Sequence, residues 1–107
     1  METATIPQFN AEKYKQTTFE QWQTAAEAWY RWSPLLEQWL GKATEKMIEM
    51  AGIDTGHRVL DVAAGAGEQS MSVAKKVGPS GYVLATDISP NILQFAQTMA
   101  NDAGVHN

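Results

Sequence analysis

The sequence contains no cysteine, which excludes disulfide bonds, thiolate nucleophiles and thiolate metal sites. Its two histidines, His57 and His106, stand far apart in the chain, and their spacing alone does not outline a metal site. Positive charge is scarce: eight Lys and Arg against twelve Asp and Glu leave a net charge of −4. That balance argues against nucleic acid or an anionic membrane surface as the main partner. No apolar run approaches the length of a membrane span, and the opening METATIPQFNAEKYKQ lacks the apolar core of a secretion signal. These absences predict a cytoplasmic protein with no nucleic acid and no membrane among its partners. What is present, 44% apolar and 19% charged residues in 107, is a globular composition for at most one ordinary domain.

Two kinds of periodicity divide the chain. Residues 1–18 are polar without a clear repeat, which predicts a loosely held, flexible segment. A helical extension is expected over 19–56. Its first helix begins near Phe19 and runs to Trp32; its second opens on Ser33 as N-cap with Pro34 in the first turn. Leu36, Leu40, Ala43, Met47 and Met50 then recur on one helical face, and Gly52 closes the helix before the DTG turn. From 57 to 107 the pattern becomes strand, helix, strand, helix: 58–62, about 68–77, 82–86, and from Pro90 to about Ala103 with Ser89 as cap. Leu93, Ala96, Met99, Ala100 and Ala103 supply the apolar stripe of the last helix, and GPSG at 78–81 is a turn.

Short joints between alternating strands and helices predict an α/β fold, a Rossmann-like, doubly wound parallel sheet. Two strands are too few for such a sheet. The expectation is therefore an incomplete one, the first half of a cofactor-binding domain cut from a longer protein. It would be completed by further residues, or by a second copy through homo-oligomer formation or element exchange.

The stretch RVLDVAAGAGEQS holds the chemistry. An apolar strand carrying Asp61 runs into Ala63, Ala64, Gly65, Ala66 and Gly67, where no side chain exceeds a methyl group. Small residues let a ligand reach the main chain, and Gly65 and Gly67 tolerate positive φ. The helix that follows directs free N–H groups and its positive dipole end to the same place, which suits a carboxylate or phosphate. Asp61 favours a positive or hydroxyl-bearing group. Twenty residues beyond Gly67, YVLATDIS repeats the outline and ends in Asp87, placed to accept hydrogen bonds from ribose hydroxyls, with Ile88 offering an apolar face to a base. A dinucleotide fingerprint requires Gly or Ala where this chain has Ser70, and an acid ahead of the glycines repels a pyrophosphate. Ammonium, carboxylate and nucleoside in one molecule describe S-adenosylmethionine.

VLDVAAGAG followed by VLATDIS resembles the first two motifs of class I S-adenosylmethionine-dependent methyltransferases. The preceding helices look like those of quinone-biosynthesis (UbiE-like) and related small-molecule methyltransferases. The resemblance covers about residues 19–107, its specific part 57–92. It implies that Asp61, Gly65 and Gly67 surround the methionine portion, that Asp87 meets the ribose and that Ile88 lies beside adenine. Ala63 stands where many members have the first glycine. The implied activity is methyl transfer to a small-molecule acceptor, with the cofactor-binding half represented here; the family's acceptor-binding motifs have no counterpart in these residues, and no residue is assigned as a catalytic base.

Trp22, Trp29 and Trp32 fall within one helical quadrant, a packing stripe unless Trp29 or Tyr30 folds over the cofactor as a lid. His57 reads as a turn residue, and Lys42, Glu45, Lys46 and Glu49 as a solvated helix face. Two rival functions carry distinct expectations: an NAD(P)-dependent oxidoreductase, disfavoured by Ser70 and Asp61, and a non-catalytic Rossmann-like interaction module, which would bind no cofactor.

Overall fold

A computed structural model describes residues 3–107. Met1 and Glu2, the first residues of the segment expected to be loose, lie outside the described residues. The elements are α1 (Ala11–Arg31), α2 (Ser33–Met50), β1 (Arg58–Val62), α3 (Glu68–Val77), β2 (Tyr82–Thr86) and α4 (Pro90–Asp102). The strands and α3 stand where the sequence places them, because Gly- and Pro-containing turns bracket each apolar run.

α1 begins eight residues before the expected Phe19. Asn10 caps it by accepting from the Lys13 amide at 2.9 Å, and exposed pairs such as Glu12 with Lys15 and Gln16 with Glu20 follow along the first turns. A polar first half therefore becomes helix through its cap and good helix formers rather than through an apolar face. The N-cap assigned to Ser33 is also corrected. Trp32 occupies that position without a side-chain cap, while Ser33 is buried and its hydroxyl donates to the Trp29 carbonyl at 3.0 Å. Pro34, which has no N–H to give, sits in the first turn of α2.

α2 packs through a different face from the expected one. Its buried positions are Ser33, Thr44 and Ile48, whereas Met47 and Met50 are exposed. Leu36 and Leu40 turn toward a cavity described below. In α4 the deepest residue is Ile92, with Phe95 packed beside it, so the inward stripe is rotated from the one that ended at Ala103, which is exposed.

β1 and β2 pair in parallel, with Arg58 opposite Tyr82 and Val62 opposite Thr86. One face of this sheet is covered: Val59 and Val83 pack on Val73 and Val77 of α3 together with Ile48 of α2. The opposite face is bare. Leu60, Val62, Tyr82 and Leu84 are 60, 72, 43 and 49% exposed. A second core patch joins Ala26 of α1, Ala66 of the first strand-to-helix loop and Ile92, with Tyr30 and Phe95 stacked at its edge. Gln23 ties α1 to α4 as well: its side-chain oxygen accepts from the Ser89 hydroxyl and from the Asn91 amide. These links hold the N-terminal helices over the carboxyl ends of the strands.

Candidate functional site

The parallel register brings the ends of β1 and β2 side by side, and the loop after β1 is tied across to β2 by the Ala64 amide on the Thr86 carbonyl at 2.8 Å. Three loop residues have positive φ: Ala63 at 59°, Gly65 at 62° and Gly67 at 98°. At Ala63 this is strain, since a Cβ crowds the following carbonyl in the left-handed region. The turn is nonetheless kept, and residues 63–66 line a cavity of about 610 Å³, Ala63 and Gly65 being the more open and Ala64 and Ala66 buried. A cavity of that size falls in the range of small-molecule sites. Its two walls differ. Loop residues Ala63 to Ala66 with Thr86, Asp87 and Ile88 form one; Trp22, Trp29 and α2 residues from Leu36 to Glu45 form the other.

Asp87 anchors the first wall. Its Oδ2 accepts from the Gly65 amide and its Oδ1 from the Ser89 amide, both at 3.0 Å. Each carboxylate oxygen retains a second lone pair, so the group shapes the loop and still has acceptor capacity toward the cavity. Ser89, fully buried, accepts from the Ile92 amide and caps α4. α3 starts at Gly67 with no side-chain cap and carries Glu68 in its first turn. Its first amides are therefore available to an anionic group.

Of the residues singled out by sequence, Ala63, Gly65, Asp87, Ile88 and Trp29 all line this cavity. Three do not. Asp61 accepts from the Ser70 hydroxyl at 2.6 Å and lines a separate cleft, on the sheet face shared with Val59. Ser70, which breaks the dinucleotide pattern, thereby joins β1 to the first turn of α3. Gly67 is buried, and a Cβ there would lie 3.1 Å from that of Ala96; its glycine serves the approach of α3 to α4. Tyr30 stacks on Phe95 with ring centroids 4.7 Å apart, inside the core patch. Trp29 is the aromatic residue of that pair that reaches the cavity, where it meets Trp22 at 5.9 Å.

Sequence reasoning missed Glu37, Glu45 and Glu68, which line the cavity with Asp87, and also Thr44 and Gln69, joined by a side-chain hydrogen bond at 3.4 Å. Glu45, expected on the solvated face, lines the cavity, and of that face only Lys46 and Glu49 form an ion pair among the described residues. The missed signal is spacing: Glu37, Gly41 and Glu45 are four apart and so share one helical face.

Parallel strands, a small-residue loop at one strand end and an acid at the next define a Rossmann-like nucleotide-binding α/β arrangement. The profile of the methyltransferase-domain family matches residues 53–107. The chain belongs to that family. Over 58 residues it is 41% identical to the ubiquinone/menaquinone biosynthesis C-methyltransferase UbiE of Pseudomonas fluorescens and to that of Cellvibrio japonicus. Each match takes in 54% of this chain and 23% of the relative, so the chain spans less than a quarter of those proteins. Among solved structures it resembles a SAM-dependent methyltransferase from Aquifex aeolicus, with 34% identity and a TM-score of 0.57 over 60% of this chain and 34% of that one. A protein-L-isoaspartate O-methyltransferase aligns with 28% identity and a TM-score of 0.58, over 61% of this chain and 20% of that one.

Proposed function

We propose that this chain carries the donor-binding half of an S-adenosylmethionine-dependent methyltransferase acting on a small-molecule acceptor. The observation that carries the reading is the small-residue loop of 63–66, which lines a cavity with Asp87 at its edge. Bound there, S-adenosylmethionine supplies an activated methyl group on a sulfonium. The residues divide the work of holding it. Asp87 directs its remaining lone pairs at the ribose hydroxyls, and half-exposed Ile88 offers an apolar surface to adenine. Amides of the first turn of α3 meet the carboxylate, those of Ala64 and Gly65 being spent on Thr86 and Asp87. Asp61 acts indirectly, holding Ser70 and hence the start of α3. Alignment and a shielded, suitably charged cavity are what such a site contributes to transfer.

On this reading the protein works in the cytoplasm, and its acceptor is a free small molecule rather than a nucleic acid or a membrane. The residues from 57 onward form the donor-binding unit, and the helices before it close over the cavity. The bare sheet face of Leu60, Val62, Tyr82 and Leu84 is covered in the working protein, by further helices or by a second copy, since a Val or Leu side chain gains about 1.5–3 kcal/mol when fully buried. The nicotinamide alternative is set aside by the family and by Ser70.

The test is a thermal-shift titration with S-adenosylmethionine and S-adenosylhomocysteine, since a ligand bound only by the folded state must raise the unfolding temperature. Stabilisation by either, lost in Asp87→Ala, supports the reading. No shift and no calorimetric heat with both would leave the interaction-module reading.

A further inference from the structure

The cavity has a one-sided charge. Glu37, Glu45, Glu68 and Asp87 line it, and among the described residues no Lys, Arg or His does. Two of the four carboxylates, Glu37 and Glu45, lie on the α2 wall, one turn to either side of Gly41. That glycine is in the interior of a helix, where Gly is less favourable than Ala by about 0.5–1 kcal/mol. Packing does not ask for it, because apart from its chain neighbours and the surrounding backbone of α2 no protein atom lies within 4 Å of where its Cβ would stand. The space left open belongs to the cavity. Tryptophan faces at Trp22 and Trp29, set 5.9 Å apart at the same wall, add surfaces that attract cations.

This inference rests on the donor-binding reading above and concerns what the cavity distinguishes. S-adenosylmethionine and S-adenosylhomocysteine share the nucleoside, the ammonium and the carboxylate. They differ by one methyl group and by the positive charge that the methyl gives to sulfur. An anion-lined site without a compensating base lowers the energy of the charged molecule and does nothing comparable for the neutral thioether. We infer that the cavity reads the donor's positive charge, with Glu37 and Glu45 as the specificity-determining residues that favour the methylated donor over the demethylated product. The consequence is functional: loss of the charge on transfer weakens the grip on the spent molecule and favours its release.

Calorimetry on the protein with the two molecules tests this. Carboxylates acting through solvent-filled space contribute on the order of a factor of two to three each. The double variant Glu37→Gln/Glu45→Gln should therefore weaken S-adenosylmethionine about fivefold while moving S-adenosylhomocysteine less than twofold. The same preference should shrink in the unaltered protein near 1 M salt, where the Debye length is about 3 Å. Glu49→Gln, on the same helix but paired with Lys46 away from the cavity, should leave the ratio of the two affinities unchanged. Gly41→Ala should raise the unfolding temperature of the free protein and weaken both molecules. Equal losses for both in the double variant, or none for the donor, would overturn the inference while leaving the methyltransferase reading in place, as would unchanged affinities in Gly41→Ala. Failure of both molecules to bind the unaltered protein would instead remove that reading and the inference with it.

Discussion

The Asp87 carboxylate accepts from the Gly65 amide at 3.0 Å across the gap between the two strand ends, twenty-two residues apart in sequence. One side chain thus sets the shape of the loop and borders the cavity that the loop opens. Affinity and stability are coupled at this position. Asp87→Ala leaves two amides without their partner, at a cost of about 1–3 kcal/mol, and on the proposed reading removes charge-assisted bonds to the ligand worth about 1.5–3 kcal/mol. The expected result is a lower unfolding midpoint in urea together with a tenfold to hundredfold rise in Kd for S-adenosylhomocysteine by calorimetry. Asp87→Asn, which keeps one acceptor, should fall between.

Ala63 is the one described residue other than glycine with positive φ. Left-handed backbone costs an L-residue about 1–2 kcal/mol, against roughly 0.5–1 kcal/mol of extra chain entropy lost by glycine. Ala63→Gly should accordingly stabilise the fold by up to about 1 kcal/mol, a rise of about 4–8 °C in Tm for a domain of this size. Ala63→Val, with a branched side chain in the same conformation, should lower it. Differential scanning calorimetry on both variants decides the matter.

Much of the core architecture was legible because it depends on local punctuation. β1, β2 and α3 are bounded by glycine turns and by a change of hydrophobic period, and these survive in the structure unaltered. The loop residues Ala63 and Gly65 with Asp87 and Ile88 were legible for the same reason, since a strand end in a parallel sheet fixes where they point. What was not legible depends on which side of an element faces inward. Asp61 alternates with Leu60 and Val62, so it shares the α3-covered face with Val59, and that period-two signal outweighs its nearness to the glycines. Gly67 looks like a ligand-contact glycine in sequence, and only the position of Ala96 reveals its packing role. The cavity carboxylates of α2 emerge only once the helix is docked, because an exposed Glu in a helix of mixed charge carries no mark of what it faces.

Two glycines are required by contact. At Gly81 a Cβ would lie 2.4 Å from Val77 Cβ and 2.8 Å from the His57 carbonyl oxygen, both held by the core. Gly81→Ala should cost about 3 kcal/mol, by overpacking and displacement of backbone. At Gly67 the added Cβ meets Ala96 at 3.1 Å, and φ is positive. A double-mutant cycle of Gly67→Ala with Ala96→Gly should return a favourable coupling of about 0.5–1 kcal/mol, because the contact is shared by the pair while the backbone strain is not. Urea midpoints for the four proteins give the number; zero coupling would mean that strain alone explains the cost.

The turn before β1 holds an acid whose pKa is lowered. The Asp54 carboxylate accepts from the Thr55 amide at 2.8 Å, and that bond, helped by the charge of Lys76, holds its pKa below the ordinary value of 3.8. A depressed folded-state pKa means stability that is fully present above the unfolded value and fades as pH falls through the folded one. The Asp54 side-chain carbon signal in NMR should therefore titrate below 3.8, and Asp54→Asn should flatten the acid limb of the stability curve. An inflection at or above the ordinary value would contradict the bonded turn.

Ser70 and Asp61 test whether an acid next to a glycine loop holds ligand or holds the loop. The Ser70 hydroxyl donates to Asp61 Oδ2 at 2.6 Å, in a partly buried setting, and the Asp61 carbonyl accepts from the Thr86 hydroxyl at 3.0 Å. Both bonds knit β1 to its neighbours, and the carboxylate lies outside the lining of the cavity. Ser70→Ala leaves a carboxylate short of its donor, at about 1–3 kcal/mol. The expected pattern is a stability loss comparable to that of Asp87→Ala with a much smaller change in Kd for S-adenosylhomocysteine, within about threefold. Asp61→Asn should cost less stability than Ser70→Ala, because an amide oxygen can still accept from Ser70, and should likewise leave Kd within about threefold although the charge is gone. If Asp61→Asn instead weakens binding as much as Asp87→Ala at unchanged stability, the carboxylate touches the ligand directly and α3 is positioned by other means.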